Sequence, residues 1–296
     1  MSQLFNRDML LKIGEDSIPL QFVDPLQPDK PQTILRATFS VSKTSNKDPN
    51  KASVRIYNLN SLHRMQLQFG AEIIATPETA WNWPLTIEAG YVGSRSLIFS
   101  GDIRFVDTRR EGPDWVTDIE ADDGGKDYTG ARLNVAFGPG TTVQTILIEC
   151  AKALNVGLGN SATQFAAARF RKGFVNFRKG VVVTGLVSKT LDKYVTSAGY
   201  KWSIQDGQLQ VLGPDEALLD IAVKLDSKSG LIGAPERGEK GSLRATSLLQ
   251  GAIKPGRRIE MQSLDVIGPY KVIDVNHSGD TWGNDWYSSF EAKALQ

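Results

Sequence analysis

Apolar and polar residues alternate along much of the first third of the chain, a pattern typical of strands with one buried face. Residues 53–57 alternate in this way before Asn58 breaks the run. The alternation returns at 85–91, and short turns lead to further runs at 97–105 and 115–120. Several such runs at short spacing predict the antiparallel strands of a β-barrel or β-sandwich.

The middle of the chain has a different pattern. Thr142 precedes apolar residues at helical spacing and is placed to cap a helix. A second helix is predicted to begin near Thr184. Residues 200–212 read as a hairpin around Asp206 and Gly207, because this dipeptide tolerates the positive φ angles of a type I′ turn. The middle is therefore predicted to be a small α+β unit.

The last eighty or so residues return to the pattern of strands, most clearly at 258–262, 270–275 and 286–292. They also repeat a pattern of the first third, since residues 268–292 resemble residues 101–121 along both arms of a hairpin. The second copy has a loop four residues longer. The identical pairs are Gly101 with Gly268, Asp107 with Asp274, Gly112 with Gly279, Asp114 with Asp285, Trp115 with Trp286, Glu120 with Glu291, and Ala121 with Ala292.

This similarity has two readings. The simpler one is a pair of hairpins that look alike because hairpins share a pattern. The other is a duplicated β-barrel interrupted by the α+β unit. We favour duplication because the match extends over both arms and the turn.

Further short segments add a pattern through their order and spacing. They are residues 52–60, 97–103, 202–207, 229–233, 247–249, 253–257, 279–280 and 284–287. Together they resemble the hub proteins of contractile phage tail baseplates, which are related to the hub part of type VI secretion spikes. The resemblance spans residues 50 to 295 and brings no active-site motif with it.

The resemblance implies a mainly β fold with an α+β part, in which two similar tail-tube-like antiparallel β-barrels are separated by the small α+β unit. We expect the first barrel at residues 1–125, the α+β domain at 126–215 and the second barrel at 216–296. A trimer of such chains presents six similar units in a ring, which suits a sixfold tube while the other end stays threefold.

The expected function is thus a trimeric symmetry adapter in the virion, joining the tail tube or a tube initiator protein to a central spike, with baseplate wedge proteins around it. We expect assembly in the host cytoplasm. Alternatives are another tail-tip structural protein, a cell-wall hydrolase or carbohydrate-binding module, and a single-strand binder.

The composition argues against several classes of protein and indicates no particular chemical activity. Lys and Arg total 34 against 33 Asp and Glu, so no strong overall field argues for nucleic acid or an anionic membrane. No uncharged apolar run approaches the roughly 18 residues of a membrane span, and residues 1–14 lack a signal peptide. Cys150 is the single cysteine, which excludes an intramolecular disulfide and a multi-cysteine metal site.

No catalytic, metal or cofactor site is predicted. His277 with Asp280 and Asp285 is best explained as a polar hairpin tip, because a catalytic metal site generally uses three protein ligands, often including two or three His, and nothing places the two histidines of this chain, His63 and His277, together. Cys150 lies on the apolar face of the first predicted helix and is interpreted as packing.

Three further patterns have a simple structural explanation. Asp118, Glu120 and Asp122 fall on one strand face, where paired acids or a solvated surface are both possible. Residues 138–142 lack the lysine of a phosphate-binding loop. Basic residues interleave with phenylalanines in a pattern that suits either single-stranded nucleic acid or a strand with a buried face, whose charges would be free to meet an acidic partner. They are Arg169, Arg171, Lys172, Arg178 and Lys179 among Phe165, Phe170, Phe174 and Phe177.

Three tryptophans are candidate partner-interface residues. Trp81 and Trp83 lie in a Pro-flanked insertion, and Trp282 lies in the longer hairpin loop of the second copy. Aromatic residues in loops are enriched at protein interfaces. The alternative is that these rings fold back on their own chain.

Overall fold

Alternating runs form strands in the computed structural model, which describes residues 7–14, 20–22, 35–74, 83–123, 130–163, 177–238 and 241–295. The strands are β1 (Arg7–Ile13), β2 (Leu20–Phe22), β3 (Ala37–Thr44), β4 (Lys51–Tyr57), β5 (Pro84–Tyr91), β6 (Ser96–Glu111), β7 (Asp114–Asp122), β8 (Arg132–Phe137), β9 (Val181–Leu186), β10 (Lys201–Gln205), β11 (Gln208–Leu212), β12 (Val223–Leu225), β13 (Leu231–Arg237), β14 (Ser242–Leu248), β15 (Arg258–Gln262), β16 (Ile267–Asp280) and β17 (Trp286–Ala294). The helices are α1 (Ser61–Ile74), α2 (Val143–Ala153) and α3 (Val187–Tyr194). The fold is therefore mainly β with an α+β part, as predicted.

Thirteen of the described strands form one sheet. Its order is β13-β14-β17-β16-β3-β4-β7-β6-β5-β1-β2, with β15 beside β16 and β12 beside β15. Two groups of four strands have the same order within it: β3-β4-β7-β6 is the first group, and β13-β14-β17-β16 is the second group. Both long strands, β6 and β16, change partner midway, from the preceding strand to the following one.

The internal repeat is present in the strand pairing, and the two hairpins share an irregularity of register. The β6–β7 register shifts between Ile103 and Phe105, and the β16–β17 register shifts between Val272 and Asp274. Both bulges lie opposite a Glu-Ala pair that the sequence comparison aligned, Glu120–Ala121 in one hairpin and Glu291–Ala292 in the other. A bulge locally bends and twists a strand pair, so its recurrence marks a structural unit used twice.

The pairing also corrects the alignment of the first arm by two residues. Thr108 lies opposite Thr117, and His277 lies opposite the equivalent Ser288. The turns span residues 112–113 in the first group and 281–284 in the second, because Glu111 pairs with Asp114 and the Asp280 N–H donates to the Asp285 carbonyl at 2.8 Å. The second loop is thus two residues longer, and the predicted difference of four was wrong.

The two groups are joined edge to edge. Strand β16 of the second group pairs with β3 of the first, from Asp274 opposite Thr44 to Asp280 opposite Thr38. We call this pairing the junction. Both groups share one open sheet, and the strand pairings among the described residues close neither of them into a barrel.

Side chains reinforce the junction where the longer loop begins and ends. Trp286 of β17 is buried against Phe39 of β3, with ring centroids 5.4 Å apart, and its indole N–H donates to the Gly90 carbonyl at 3.1 Å. The Asp280 carboxylate accepts a 2.8 Å hydrogen bond from Arg36. Arg7 also donates to the Asp280 carbonyl at 3.0 Å. The loop of the second group therefore stabilises its contact with the first.

Three hydrophobic clusters form the core of the described chain. The largest cluster is formed by buried side chains of β3, β4 and β7 together with those of β1, β5 and the first half of β6, which belong to the same sheet. Leu249 and Trp286, from the last third, complete this cluster. A second cluster fills the middle unit, and a third lies under β14 to β17.

The middle unit, residues 130–163 and 177–212 in the described chain, follows its predicted signals. The Thr142 hydroxyl accepts a hydrogen bond from the Thr145 N–H at 3.2 Å and caps α2. Asp206 and Gly207 have φ angles of 52° and 71°, as a type I′ turn requires. Helix α3 begins at Val187, three residues later than the predicted start, because β9 extends to Leu186 and pairs with β8.

The turn of the β10–β11 hairpin attaches this unit to the sheet. The buried Asp123 carboxylate accepts hydrogen bonds from the backbone N–H groups of Asp206 and Gly207. Asn50, also buried, donates to the Ile204 carbonyl at 2.9 Å, and Lys43 forms an ion pair with Asp206 at 2.5 Å. These contacts all lie where β3 ends and β4 begins, so the middle unit stands at one end of the strands.

Candidate assembly surfaces

Two carboxylates of β7 are held in ion pairs with arginines. Asp118 contacts Arg55 at 2.7 Å and Arg109 at 2.7 Å, while Asp122 lies 3.6 Å from Arg104. Burial raises the pKa of Asp118, but the hydrogen bonds from Arg55 and Arg109 outweigh it and lower that pKa overall. Glu120, the third acid of this face, is exposed and forms no ion pair among the described residues. The arrangement does not resemble a pair of catalytic acids.

The candidate group around His277 is separated in the structure. His277 is buried with Nδ1 2.8 Å from the Ser288 hydroxyl, whereas Asp280 is paired with Arg36 at the end of the strand. Burial is the main cause that lowers the pKa of His277 to about 3, with the charge of Lys43 as a second cause. No cluster of three metal-ligating side chains occurs within the described ranges. His277 is therefore a neutral core residue.

The buried histidine predicts that acid destabilises the fold. Its pKa is about 3 in the folded chain against an ordinary 6.5, so the unfolded chain binds more protons between these values. Stability contributed by this group is complete above pH 6.5 and falls as pH decreases toward 3. In an Asp123→Asn background, denaturant melts should show a loss of roughly 2 kcal/mol between pH 7 and pH 5 that is absent when His277→Gln is added.

The second histidine provides the control. His63 lies on the half-exposed face of α1, so His63→Gln should keep the acid sensitivity of the parent. Asp123 acts in the opposite direction, because burial raises its pKa to about 6 and protonation near that pH favours the folded form. An unchanged pH slope in His277→Gln, measured in an Asp123→Asn background, would contradict the assignment.

The other candidate motifs have local structural roles. Burial raises the pKa of the Cys150 thiol to about 12, and the side chain packs in the core of the middle unit. The loop before α2 is closed by backbone hydrogen bonds, in which the Gly140 N–H donates to the Phe177 carbonyl at 2.8 Å. Of the basic and aromatic segment, only Phe177, Arg178 and Lys179 lie in the described chain. The rest, namely Arg169, Arg171, Lys172, Phe165, Phe170 and Phe174, lie outside the described residues.

The three candidate tryptophans have different positions. Trp83 is 8% exposed and belongs to the largest core cluster, so its ring packs on its own chain. Trp282 is 63% exposed at the tip of the longer hairpin loop, which is fixed by a hydrogen bond of 2.9 Å from its N–H to the Asp280 carboxylate. Trp81 lies outside the described residues. Of the two described tryptophans, Trp282 has the exposure that a partner contact needs.

The two strand edges at the ends of the duplicated groups have no neighbour in the described chain. Strand β13 pairs only with β14, and the half of β6 from Phe105 to Glu111 pairs only with β7. Phe105 is 51% exposed at this edge, and Ile232 of β13 is 40% exposed. An unpaired row of backbone N–H and C=O groups is a template for pairing with another chain.

The two ends of the strands differ in what they carry. One end, which we call the hairpin rim, has the loops 112–113 and 281–284 together with the start of α1. Leu62 and Met65 of α1 and Trp282 are all more than 60% exposed there. Arg64 stacks over Trp115 at 4.3 Å at the same end. Exposed apolar side chains gathered at one end indicate a surface that contacts protein.

The opposite end, the middle-unit rim, carries the middle unit and contacts both groups of strands. Besides the contacts of Asp123 with the hairpin turn, Lys271 of β16 donates to the carbonyls of Gly213 at 2.9 Å and Pro214 at 2.6 Å. Burial lowers the pKa of Lys271 to about 8. The chain that leaves the middle unit is thereby tied to the second group of strands.

Comparison with known proteins gives this architecture a context. The family model described as Baseplate hub gp41 matches residues 27–269. No curated protein matches the chain.

Solved structures resemble the chain over nearly its whole length. The 43 kDa tail protein of prophage MuSo2 from Shewanella oneidensis has a TM-score of 0.58 and 7% identity, with 97% of this chain and 98% of that one covered. A tail protein from Neisseria meningitidis MC58 has a TM-score of 0.59 and 10% identity, with 98% and 97% covered.

The E. coli c3393 protein has a TM-score of 0.53 and 11% identity, with 97% of this chain and 77% of that one covered. It is described as a component of the type VI secretion system with structural similarity to the T4 tail proteins gp27 and gp5. At these identities the likeness shows a shared fold.

Proposed function

Because this chain belongs to the Baseplate hub gp41 family, we propose that it is a trimeric symmetry adapter at the centre of a phage tail baseplate. It is a structural protein of the virion tail, and this family and the solved tail proteins are not enzymes. None of the helices in the described ranges is long and apolar enough to cross a membrane. Its role is assembly, through surfaces rather than through an active site.

The observation that carries the proposal is the junction between β16 and β3. It joins two similar units through edges that are not alike, which is a head-to-tail contact. The same two edges recur unpaired at the ends of the duplicated structure: β13 is the counterpart of β3, and the outer half of β6 is the counterpart of β16. Repeating the junction between chains joins β6 of one copy to β13 of the next.

The register of the junction predicts complementary contacts at this seam between chains. Ser278 lies opposite Ser40 within the chain. The equivalent residues are Arg109 of β6 and Glu236 of β13, so the seam places Glu236 opposite an arginine that already contacts Asp107, Asp118 and Glu111 in its own chain. Glu236 forms no ion pair among the described residues, and its position in an exposed strand leaves it available to a second copy.

A ring of three chains then contains six similar units, which is the number that a sixfold tail tube requires. The hairpin rim repeats six times around this ring, because each unit contributes one hairpin loop. The middle-unit rim repeats only three times, because each chain has one middle unit. We therefore assign the hairpin rim, with Trp282, to the tail tube or a tube initiator protein, and the middle-unit rim to the central spike.

The three-part division belongs to the same proposal. Residues 1–125 and 216–296 correspond to the two tube-like barrels and residues 126–215 to the α+β domain, in keeping with three core clusters of which one lies within the middle unit. Wedge proteins contact the outside of the ring, and assembly takes place in the host cytoplasm.

Mass measurement and imaging of the purified chain test the proposal. Sedimentation should give three times the 32.4 kDa of one chain, and averaged electron micrographs should show six similar lobes with three protrusions at one rim. A different number of copies, or a ring with the middle units alternating between rims, would overturn the adapter. Counting copies in intact tails separates a central hub from another tail-tip protein.

A further inference from the structure

The middle unit is more basic than the rest of the chain. Residues 126–215 hold 11 Lys and Arg against 5 Asp and Glu, although the whole chain has a net charge of only +1. The rest of the chain therefore has an excess of acidic residues. The weak overall charge conceals a separation of charge between the middle unit and the two groups of strands.

Ion pairing sharpens this separation. Each carboxylate of the described middle unit already has a cationic partner: Glu149 has Lys152, while Asp192 and Asp206 are paired with Lys47 and Lys43 of the first group. Several cations of the unit are exposed and have no ion pair among the described residues. They are Arg132, Arg178, Lys179, Lys189 and Lys193.

These cations follow one part of the unit, formed by β8, β9 and α3. Arg132 pairs with Leu186, the residue before α3, and the Val187 N–H donates to the Ala131 carbonyl. At the other end of α3, Tyr194 contacts Phe177, the neighbour of Arg178, with ring centroids 5.7 Å apart. Lys189 and Lys193 are four residues apart and share a helix face. We call this surface the basic face.

We propose that the basic face docks onto a carboxylate-rich surface of another protein. The proposal rests on the assignment of the middle-unit rim to the central spike and names the chemistry of that partner. A second copy of this chain suits the face poorly, since carboxylates of its sheet such as Asp118, Asp122 and Glu291 are already paired with arginines. A separate acidic protein supplies the missing charges.

The aromatic residues of the middle unit favour protein over single-stranded nucleic acid. Binding of single strands relies on exposed rings that stack with bases. In the described part of the unit, Tyr200 and Trp202 are buried, and Phe177 and Tyr194 are partly buried edge to face against the core. Among the described residues of the unit, the ring nearest these cations is that of Tyr194, which lies 5.2 Å from the Lys193 ammonium and is partly buried rather than free to stack.

The test uses an oligoglutamate peptide as the probe, with fluorescence anisotropy at low salt. The variant Lys189→Glu/Lys193→Glu should bind roughly tenfold or more weakly than the parent, because four charge units are changed on one face. The matched control is Lys224→Glu/Lys228→Glu, which makes the same change at two exposed lysines outside the middle unit, one in β12 and one in the loop after it, and should keep binding. Equal loss in both variants would overturn the proposal.

An oligothymidylate of the same net charge is the second probe. Tighter binding of the oligonucleotide than of the peptide, lost in the same variant, would replace the acidic protein with nucleic acid. Sedimentation of both variants separates this proposal from the adapter: the basic face is outside the seam, so the trimer should persist. If the chain binds the peptide but never forms trimers, the proposed adapter function is wrong and the proposed role of the basic face stands.

Discussion

A Phe105→Asp variant is expected to sediment as a single chain under conditions in which the parent forms trimers. Phe105 lies at the unpaired edge of β6 and is 51% exposed, so the substitution leaves the fold of one chain intact. In the proposed seam the substitution removes an apolar ring from the contact and makes a carboxylate lose water. Burial of a charge in this way costs about 2–5 kcal/mol at each seam, and a closed ring has three such seams.

A matched substitution distinguishes the seam from exposed apolar surface in general. Val182 of β9 is 68% exposed, and it belongs to the middle unit rather than to either free edge. Val182→Asp should therefore remain trimeric, with circular dichroism and melting temperature close to those of the parent in both variants. Trimers of unchanged affinity in Phe105→Asp would contradict the β6–β13 seam.

The two repeated tryptophans should respond to truncation in opposite ways. Trp286→Ala is expected to lower the free energy of unfolding by about 3–5 kcal/mol, because it empties a core position beside Phe39 and removes the hydrogen bond to Gly90. Trp115 occupies the equivalent position in the first group but is 37% exposed. Its truncation should lower the stability of the single chain by less than about 1 kcal/mol.

Trp115 is expected instead to stabilise the association of chains in the trimer. If the seam repeats the junction, Trp115 contacts β13 of the neighbouring chain as Trp286 contacts β3, so Trp115→Ala should weaken association. Chemical denaturation at a dilution that favours single chains, followed by sedimentation at higher concentration, measures the two effects separately. A large loss of monomer stability in Trp115→Ala, or unchanged association, would show that the two positions are not equivalent.

Local patterns predicted the elements that depend on local chemistry. Asp206 and Gly207 form their turn, and Thr142 caps its helix, because both signals act within a few residues. Helix α1 was not predicted, although Asn60 caps it by accepting a hydrogen bond from the His63 N–H at 2.7 Å. Its exposed Leu62 and Met65 obscure the apolar stripe on which a helical prediction depends.

The repeat was predicted correctly in kind but not in register. Similarity of residue type aligned Asp107 with Asp274, whereas strand pairing makes Phe105 the counterpart of Asp274, because these two residues lie opposite Glu120 and Glu291. A shift of two residues keeps every side chain on the same face, so the alternating pattern does not detect it. The bulge that fixes the register depends on backbone geometry and has no clear sequence signal.

The sequence also did not predict that the two groups of strands join in one sheet. The pairing of β16 with β3 connects residues more than 200 positions apart, and both strands have the ordinary alternation of strands with other neighbours. Likewise, Trp83 and Trp282 are both aromatic residues in predicted loops, but they differ in burial. The distinction between Trp83 and Trp282 depends on packing between distant strands.

The junction also determines how the protein resists mechanical load. Interstrand hydrogen bonds lie across the strands, so a pull directed along β16 and β3 loads their whole row of bonds in shear. All of these bonds must then yield together, whereas a pull that separates the strands sideways breaks them one after another. A baseplate that transmits force along the tail would therefore meet the stiff direction of this sheet, and a sideways force would meet its weak one.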